Sequence, residues 1–194
     1  MTPALPFRPG GWRTIVADFP WRYGDQHTRL APDGTSRTAA GGYRTMTAAK
    51  IRAFPMRDLA AWRSHLYLWV TDGHLELGLE CLRLWHFDYK RTLVWVKRGE
   101  SGKLAFGGGH YYRTAHELCL FATSGGHKAR VRTERTVFES PRGLHSEKPD
   151  ELFRLAERVS SPPRLELFAR DLDGKPAQRP GWTCWGDQVG QVAA

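Results

Sequence analysis

Short runs of hydrophobic residues recur along the chain, and each run is apolar at successive positions rather than at alternate ones. This pattern is typical of strands that are covered on both faces in a mostly parallel sheet. The runs occupy residues 14–17, 66–70, 93–96, 118–122 and 165–168. We therefore predict strands over these five ranges.

Between these runs, hydrophobic residues follow helical spacing. One helical segment begins near Asp72, whose side chain suits the N-cap, and another near Pro149, which suits the first helical position. The hydrophobic positions that share a face are Leu75, Leu79 and Leu82 in the first segment and Leu152, Leu155 and Val159 in the second. Strands that alternate with helices predict a doubly wound α/β domain with helices on both faces of the sheet.

The length of 194 residues suits one domain, so we expect residues 1–194 to fold as a single unit. Polar stretches interrupt the pattern near 21–46, 98–112 and 125–147, and each predicts a loop. Ligands of open α/β sheets bind at the carboxyl ends of the strands, where such loops emerge. The first loop, which directly follows a predicted strand, is therefore expected to border a binding site.

Composition narrows the class of protein. Hydrophobic residues make up 41% of the chain, too many for a disordered segment. No apolar run approaches the roughly 20 residues of a membrane span. Residues 1–10 lack the pattern of a secretion signal, so we expect a cytoplasmic protein. With three cysteines and neither a CxxC nor an HExxH pattern, we expect no disulfide framework and no metal site.

The net charge of +9 favours a partner that carries phosphates. Part of this excess lies in a stretch that follows two glycines and has few core-type residues, which predicts an exposed basic loop. Its cations are Lys128, Arg130, Arg132, Arg135 and Arg142. The candidate contacts to nucleic acid are Arg130 and Arg132 in this loop, Lys97 and Arg113 beside the second predicted loop, and Tyr43, whose ring could stack on a base.

The most informative string is ADFPW at residues 17–21, where a hydrophobic strand ends in an acid, a proline and an aromatic residue. This arrangement suits chemistry on a flat base such as adenine. The exocyclic amine of adenine is a poor nucleophile because its lone pair is delocalised into the ring, so a catalyst has to accept its hydrogens. Asp18 can accept one, and the backbone carbonyl of Phe19 or Pro20 can accept the other. Pro20 fixes the turn, and Trp21 offers a face for stacking on the base. These four residues are the candidate catalytic residues.

The chain resembles the adenine N6-methyltransferase family that is typified by the catalytic subunit of the messenger-RNA N6-adenosine methyltransferase and has bacterial and phage relatives acting on DNA. The resemblance covers nearly the whole length. It rests on eight strings in one order, and no string is specific alone. They are 17–21 (ADFPW), 43–47 (YRTMT), 68–71 (LWVT), 84–87 (LWHF) with 93–97 (LVWVK), 116–118 (HEL), 145–151 (HSEKPDE), 166–170 (ELFAR), and 181–182 (GW) with 185–187 (WGD).

The resemblance implies a Rossmann-like fold in which the catalytic motif precedes the cofactor motif, with S-adenosylmethionine as the cofactor and no metal. It implies that Lys148 meets the carboxylate of the cofactor, as a cation can. The other residues implied at the cofactor site are Glu166, Phe168, Arg170, Asp187 and Gln188. Assembly as a homodimer or as a heterodimer stays open.

One position departs from the family motif, which has two prolines after the acid, because Phe19 replaces the first of them. Pro20 still biases Phe19 toward extended geometry, but Asp18 loses the restriction that a following proline imposes. Phe19 either fills the base pocket differently or marks a subunit with reduced activity.

The leading hypothesis is methyl transfer to the N6 amine of adenine in nucleic acid, with DNA as the favoured substrate. The alternatives are a methyltransferase acting on RNA, a catalytically silent subunit that binds nucleic acid, and a methyltransferase for small molecules. The basic loop disfavours the last of these.

Overall fold

The computed structural model describes residues 3–22, 45–99, 101–108, 111–141, 147–171, 177–186 and 189. Within these ranges, seven strands form one sheet that is accompanied by four α-helices and a short 3-10 helix at Asp72–His74. The strands are β1 (Trp12–Ala17), β2 (Ala60–Val70), β3 (Asp88–Arg98), β4 (His116–Ser124), β5 (Val137–Pro141), β6 (Arg164–Leu167) and β7 (Trp182–Trp185). The helices are α1 (Ala48–Arg52), α2 (Met56–Leu59), α3 (Leu75–Leu84) and α4 (Asp150–Val159).

The strands are ordered β5-β3-β4-β2-β1-β6-β7 across the sheet. β4 is antiparallel to both of its neighbours, whereas the other pairings are parallel. The predicted α/β fold with a mostly parallel sheet is therefore confirmed, with one reversed strand inside it. The reversal matters for function, because it brings the first residues of β4 to the edge where the other strands end.

Hydrophobic side chains cover both faces of the sheet because successive residues of a strand point to opposite sides. Ile15 and Leu68 belong to one core cluster, which also contains residues of α1, α2 and α3. Val16 and Trp69 belong to the other, which contains residues of α4. Three helices thus cover one face and a single helix covers the other. No helix in the described part of the chain is long and apolar enough to cross a membrane.

The structure corrects the sequence prediction at both edges of the sheet and at the starts of two helices. The predicted loop at 125–147 contains the edge strand β5, and β7 forms the opposite edge. Both were missed because edge strands carry too few buried residues to give an apolar run. Asp72 does not cap α3 but begins the 3-10 helix that leads into it, and His74 is the N-cap. Pro149 is the N-cap of α4 rather than its first residue.

A buried hydrogen-bonded chain ties β2 to the end of α4. Tyr67 donates to Ser160 Oγ at 2.8 Å, and Ser160 Oγ lies 2.7 Å from His65 Nδ1. His65 Nε2 lies 3.1 Å from the carbonyl of His127, which can only accept, so Nε2 carries the proton. Nδ1 therefore accepts from Ser160, and the imidazole is neutral. Burial lowers the pKa of His65 to about 4.

We expect this histidine to make the fold sensitive to acid. The unfolded chain takes up a proton near pH 6.5, whereas folded His65 stays neutral down to about pH 4. Stability is therefore complete above pH 6.5 and falls as the pH drops toward 4, by up to about 3 kcal/mol. Urea unfolding of the wild type and of His65→Asn at pH 7 and pH 4.5 measures this. The variant should lose less stability than the wild type, and an equal loss would show that His65 contributes nothing to the acid sensitivity.

Candidate active site

Asp18 lies at the middle of the sheet edge where the parallel strands end, which we call the carboxyl edge. It directly follows Ala17, whose neighbours in the sheet are Leu68 on β2 and Leu167 on β6. The backbone N–H of Asp18 donates to the carbonyl of Leu167 at 3.4 Å, which extends the ladder by one residue. The side chain is 28% exposed, so its carboxylate is within reach of a ligand.

The backbone after Asp18 turns sharply at Pro20. The N–H of Trp21 donates to the carbonyl of Phe19 at 2.8 Å, and the N–H of Met46 donates to the carbonyl of Pro20 at 2.8 Å. Both carbonyls that were predicted to accept a hydrogen from adenine thus already accept one within the chain. Since a carbonyl oxygen has two lone pairs, each retains capacity for one further hydrogen bond.

Phe19 belongs to the hydrophobic core and not to an open pocket. The side chain is 2% exposed and lies in one core cluster with Phe54 and Trp85. Its ring centroid is 4.5 Å from that of Phe168, 5.1 Å from that of Phe54 and 5.5 Å from that of Trp85. Phe19 as a residue that fills the base pocket stays a prediction, and in this structure its ring is enclosed by other aromatic side chains of the core.

Trp21 is also buried, with 4% of its surface exposed. Its ring stacks on His74 at a centroid distance of 5.1 Å, and its N–H donates to the carbonyl of Trp69 at 3.2 Å. The predicted stacking of this ring on a base is not available in this conformation, because His74 and Phe19 already contact it. The side chain instead anchors the turn after Asp18 to β2.

A row of alternating charges leads from Asp18 along the carboxyl edge. The ammonium of Lys148 lies 2.8 Å from Asp18 Oδ2 and 3.3 Å from Glu117 Oε2. Lys97 Nζ donates to Glu117 Oε1 at 2.5 Å. We call Asp18, Lys148, Glu117 and Lys97 the charge row. Lys148 was expected to meet the carboxylate of the cofactor, whereas here two carboxylates of the chain share its ammonium.

The charge row fixes the ionisation of its inner members. Burial alone would lower the pKa of Lys148, but the charges of Asp18 and Glu117 raise it above the ordinary value. Burial alone would raise the pKa of Glu117, but Lys148 and Lys97 lower it. At neutral pH, Asp18 therefore faces a charged ammonium whose second partner is an ionised carboxylate.

Two tryptophan rings lie against the cations of the charge row. Lys148 Nζ is 5.4 Å from the ring centroid of Trp69, and Lys97 Nζ is 4.9 Å from that of Trp95. Both rings are buried and meet edge to face. Such cation–π contacts stabilise an ammonium that is partly removed from water. They also limit where the two lysines can move.

Glu166 is the predicted cofactor residue with the clearest chemistry. It lies on β6 beside Val16, and burial raises the pKa of its carboxyl. Arg179 Nε is 3.6 Å from Glu166 Oε2, too far for a hydrogen bond, and this buried N–H has no hydrogen-bond acceptor among the described residues. A carboxylate and an unsatisfied guanidinium N–H side by side fit a ligand that offers both donors and acceptors, such as the hydroxyls of a ribose.

The backbone after Glu166 approaches β7 closely. Phe168 has a left-handed backbone conformation with φ of 64°, and its ring packs on that of Trp185. A Cβ added at Gly186 would lie 2.0 Å from the carbonyl oxygen of Ala169, so only glycine fits there. Arg170 follows at the same edge. The predicted cofactor residues Asp187 and Gln188 lie outside the described residues.

A cavity of about 500 Å³ opens beside the charge row. It shares Lys97 and Glu117 with that row, and His116 Nε2 lies 3.3 Å from Asp72 Oδ1 within its wall. The volume falls in the range of small-molecule sites, about 300 to 1,000 Å³. Its lining residues are Thr71, Asp72, Gly73, Lys97, Ala105, Phe106, Gly107, Gly108, Thr114, His116 and Glu117.

The structure separates the residues that were predicted to bind nucleic acid. Lys97 belongs to the charge row, and the guanidinium of Arg113 lies 5.0 Å from the ring centroid of Phe106 at the cavity. Arg130 and Arg132 follow β4, and because β4 is antiparallel they lie at the opposite edge of the sheet. The backbone N–H of Arg130 donates there to the carbonyl of Val159, the last residue of α4. Tyr43 lies outside the described residues.

Two residues of the site were not predicted to have a role. Glu117 was recognised only as part of a string, although an acid at the start of an apolar run is a usable signal. Its position beside Lys148 depends on the reversed direction of β4, which the sequence pattern did not indicate. Arg179 lies in a polar stretch, and its contacts with Glu166 and with Asp150 at 2.6 Å arise only when the strands are assembled.

Known proteins resemble this chain over nearly its whole length. A family model described as MT-A70 matches residues 12–188. A Medicago truncatula protein named putative N(6)-adenosine-methyltransferase MT-A70-like is 30% identical over 188 residues, which cover 94% of this chain and 27% of that protein. The human N(6)-adenosine-methyltransferase catalytic subunit METTL3 is 30% identical over 186 residues, covering 93% of this chain and 28% of that protein.

A subunit described as non-catalytic is also similar to the chain. The N(6)-adenosine-methyltransferase non-catalytic subunit METTL14 of Danio rerio is 29% identical over 141 residues, covering 66% of this chain and 30% of that protein. The chain thus spans less than a third of the length of each of these relatives.

Proposed function

The chain belongs to the MT-A70 family, whose methyltransferases use S-adenosylmethionine, and we propose that it transfers the methyl group of this cofactor to the N6 amine of adenine in a nucleic acid. Membership confirms the resemblance that the sequence predicted. The observation that carries the proposal is the place of Asp18, a partly exposed carboxylate at the centre of the carboxyl edge, 2.8 Å from the ammonium of Lys148.

The cofactor is proposed to bind between Asp18 and Glu166. Glu166 pairs with Val16 across the sheet, and the backbone N–H of Asp18 donates to the carbonyl of Leu167, so the two carboxyl groups belong to adjacent strand ends. Glu166 and Arg179 would hold the ribose hydroxyls, and the contact of Gly186 with Ala169 keeps the backbone clear of side chains there. Bound in this region, the cofactor supplies a methyl group on a positively charged sulfur.

Asp18 is proposed to act on the amine that receives the methyl group. As the N6 lone pair forms the new bond to carbon, the carbon–sulfur bond breaks and the nitrogen becomes positively charged. A carboxylate that accepts a hydrogen bond from this nitrogen stabilises that charge and can hold the departing proton. The backbone carbonyl of Pro20 has capacity for a hydrogen bond from the second hydrogen.

The adenine that receives the methyl group belongs either to DNA or to RNA. We retain DNA as the expected substrate from the sequence, whereas the word adenosine in the names of the relatives favours RNA. The cavity beside Glu117 is large enough for a flat base in either case. A base in a duplex would have to leave the stack to reach it, at a cost of a few kcal/mol.

A methyl-transfer assay with labelled cofactor tests this function. Oligonucleotides of one sequence are offered as DNA and as RNA, single-stranded and duplex, beside matched strands in which every adenine is replaced by purine, which lacks the amine. We expect label in adenine-containing strands alone, with DNA above RNA. Equal labelling of strands without adenine would contradict the proposed target, and higher labelling of RNA would reassign the polymer.

A catalytically silent subunit that binds nucleic acid is the second candidate. It is favoured by Phe19 at the position of the first proline of the family motif, and by similarity to a relative named as non-catalytic. Titration calorimetry with S-adenosylmethionine separates the two candidates. Cofactor binding supports the enzyme, whereas oligonucleotide binding without cofactor binding supports the silent subunit.

A further inference from the structure

The edge of the sheet opposite the carboxyl edge is basic. The parallel strands at the centre of the sheet begin at this edge. The first residues of several of these strands include exposed cations. Arg13 comes from β1, Arg63 from β2 and Arg91 from β3, and the segment after β4 adds Lys128, Arg130 and Arg132. We call this surface the basic edge.

The cations of the basic edge lie near one another in space. Thr14 of β1 pairs with His65 of β2, and Ser64 of β2 pairs with Ser124 at the end of β4. Arg13 and Arg63, which precede Thr14 and Ser64, therefore lie near the start of the loop that carries Lys128. A Cβ at Gly125 would lie 2.4 Å from the carbonyl oxygen of Trp62 and 3.1 Å from Arg63 Cγ, so this loop packs directly on β2. Residues far apart in sequence thus form one surface.

Acidic groups nearby are already paired with other cations. Asp88 lies 3.6 Å from Lys90, and Glu134 binds Arg158 through two short contacts. In the part of the chain that the structure describes, Arg13, Arg63, Lys128 and Arg132 make no ion pair. Their positive charge is therefore available to a polyanion.

Trp62 gives the basic edge a second feature. Its side chain is 72% exposed, and the guanidinium of Arg57 lies 5.2 Å from its ring centroid. The indole therefore faces water and lies beside the guanidinium of Arg57. An exposed aromatic ring among cations is the combination by which proteins hold unpaired bases and phosphates together. An acidic protein surface would use the cations but would give the exposed indole no comparable partner.

We propose that the basic edge is a second contact surface for nucleic acid, which binds a part of the polymer remote from the target adenine. Seven residue steps of β4 separate Ser124 from Glu117, which places the two edges about 23 Å apart at about 3.3 Å per residue. At about 3.4 Å per nucleotide along a helix, this corresponds to roughly seven nucleotides. The inference rests on the proposed function, because it takes nucleic acid as the substrate.

The test measures binding of a polymer that cannot be methylated at adenine. A labelled 25-residue oligothymidine is titrated by fluorescence anisotropy between 50 and 200 mM salt, with the full chain and with Lys128→Gln/Arg132→Gln. Loss of two phosphate contacts should reduce the slope of log affinity against log salt by about 1.4. Over this fourfold salt range, the affinity of the wild type should then fall about sevenfold more than that of the variant.

A matched variant controls for net charge. Lys50→Gln/Arg154→Gln removes two exposed cations from α1 and α4 and should leave the slope unchanged. Trp62→Ala should weaken binding about tenfold at every salt concentration, and Trp62→Phe should restore most of it. Equal slopes for the wild type and the Lys128/Arg132 variant would overturn the proposal and leave the surface to an acidic protein. Because oligothymidine lacks adenine, this outcome is independent of whether methyl transfer occurs.

Discussion

Replacing Asp18 with alanine is expected to reduce methyl transfer by about two to three orders of magnitude, the usual cost of removing one group that stabilises transition-state charge. The carboxylate is the only side chain of the ADFPW motif that both reaches the carboxyl edge and can accept a proton, since Phe19 and Trp21 are buried. Single-turnover transfer at saturating cofactor and oligonucleotide measures the chemical step without contributions from binding.

Two controls separate chemistry from structure in this experiment. Asp88→Ala removes an acid that is 74% exposed at the opposite edge of the sheet and should leave the rate unchanged. Asp18→Asn keeps the shape and a hydrogen-bond acceptor but cannot take the proton, so its rate should lie between those of the wild type and the alanine variant. A wild-type rate in Asp18→Ala would remove the carboxylate from the mechanism.

Replacing Lys148 with methionine is expected to destabilise the fold by about 3 kcal/mol at neutral pH, because two carboxylates lose the buried cation that they share. In the wild type, Glu117 has a lowered pKa, so its contribution to stability is present above pH 4.5 and lost below it. Without Lys148, only Lys97 opposes the effect of burial, so the pKa of Glu117 is higher in the variant than in the wild type. The variant is therefore destabilised while Glu117 is ionised and recovers as Glu117 takes up a proton.

The stability difference between the wild type and Lys148→Met should thus be largest near pH 7.5 and should narrow as the pH falls toward 4.5. Urea unfolding at both pH values measures it, and Lys90→Met serves as the control because Lys90 is 49% exposed in its pair with Asp88. A stability difference that is equal at pH 7.5 and at pH 4.5 would show that it does not arise from the ionisation of Glu117 in the charge row. No difference at pH 7.5 would show that the shared cation does not stabilise the fold.

The centre of the fold could be predicted from the sequence, because residues buried on both faces leave continuous apolar runs. Ile15, Leu68 and Leu165 come from three such runs, and their strands are neighbours in the sheet. The edge strand β5 could not be predicted in this way, since Val137 and Glu139 are exposed and break the pattern. Burial on both faces thus made the central strands recognisable in the sequence. The edge strands lack this burial, so they give no continuous apolar run.

Strand direction was the information that the pattern lacked, and it decided which charged residues meet. An apolar run is the same whether its strand points up or down. The reversal of β4 brought Glu117 to Lys148 and carried Arg130 and Arg132 away from Asp18. Residue chemistry alone therefore located Asp18 at a strand end. It also placed Arg130 and Arg132 in one set of nucleic-acid contacts with Lys97, although these arginines lie at the other edge of the sheet.

Side-chain direction within the catalytic motif was likewise beyond the sequence. Asp18, Phe19 and Trp21 are nearly consecutive, and the turn at Pro20 sends the aromatic rings into the core while the carboxylate stays at the edge. A large apolar side chain at position 19 gains burial against Phe54 and Trp85, which accounts for the ring facing inward. The substitution of the usual proline therefore alters packing behind the site and leaves the acid in place.

The most direct test is to identify the atom that receives the methyl group. An adenine-containing oligonucleotide is incubated with the full chain and with S-adenosylmethionine carrying a carbon-13 methyl, then digested to nucleosides and examined by mass spectrometry and NMR. The account predicts a carbon-13 methyl on N6 of adenine with the wild type and its loss with Asp18→Ala. A methyl group on a ring nitrogen or on another base would contradict it.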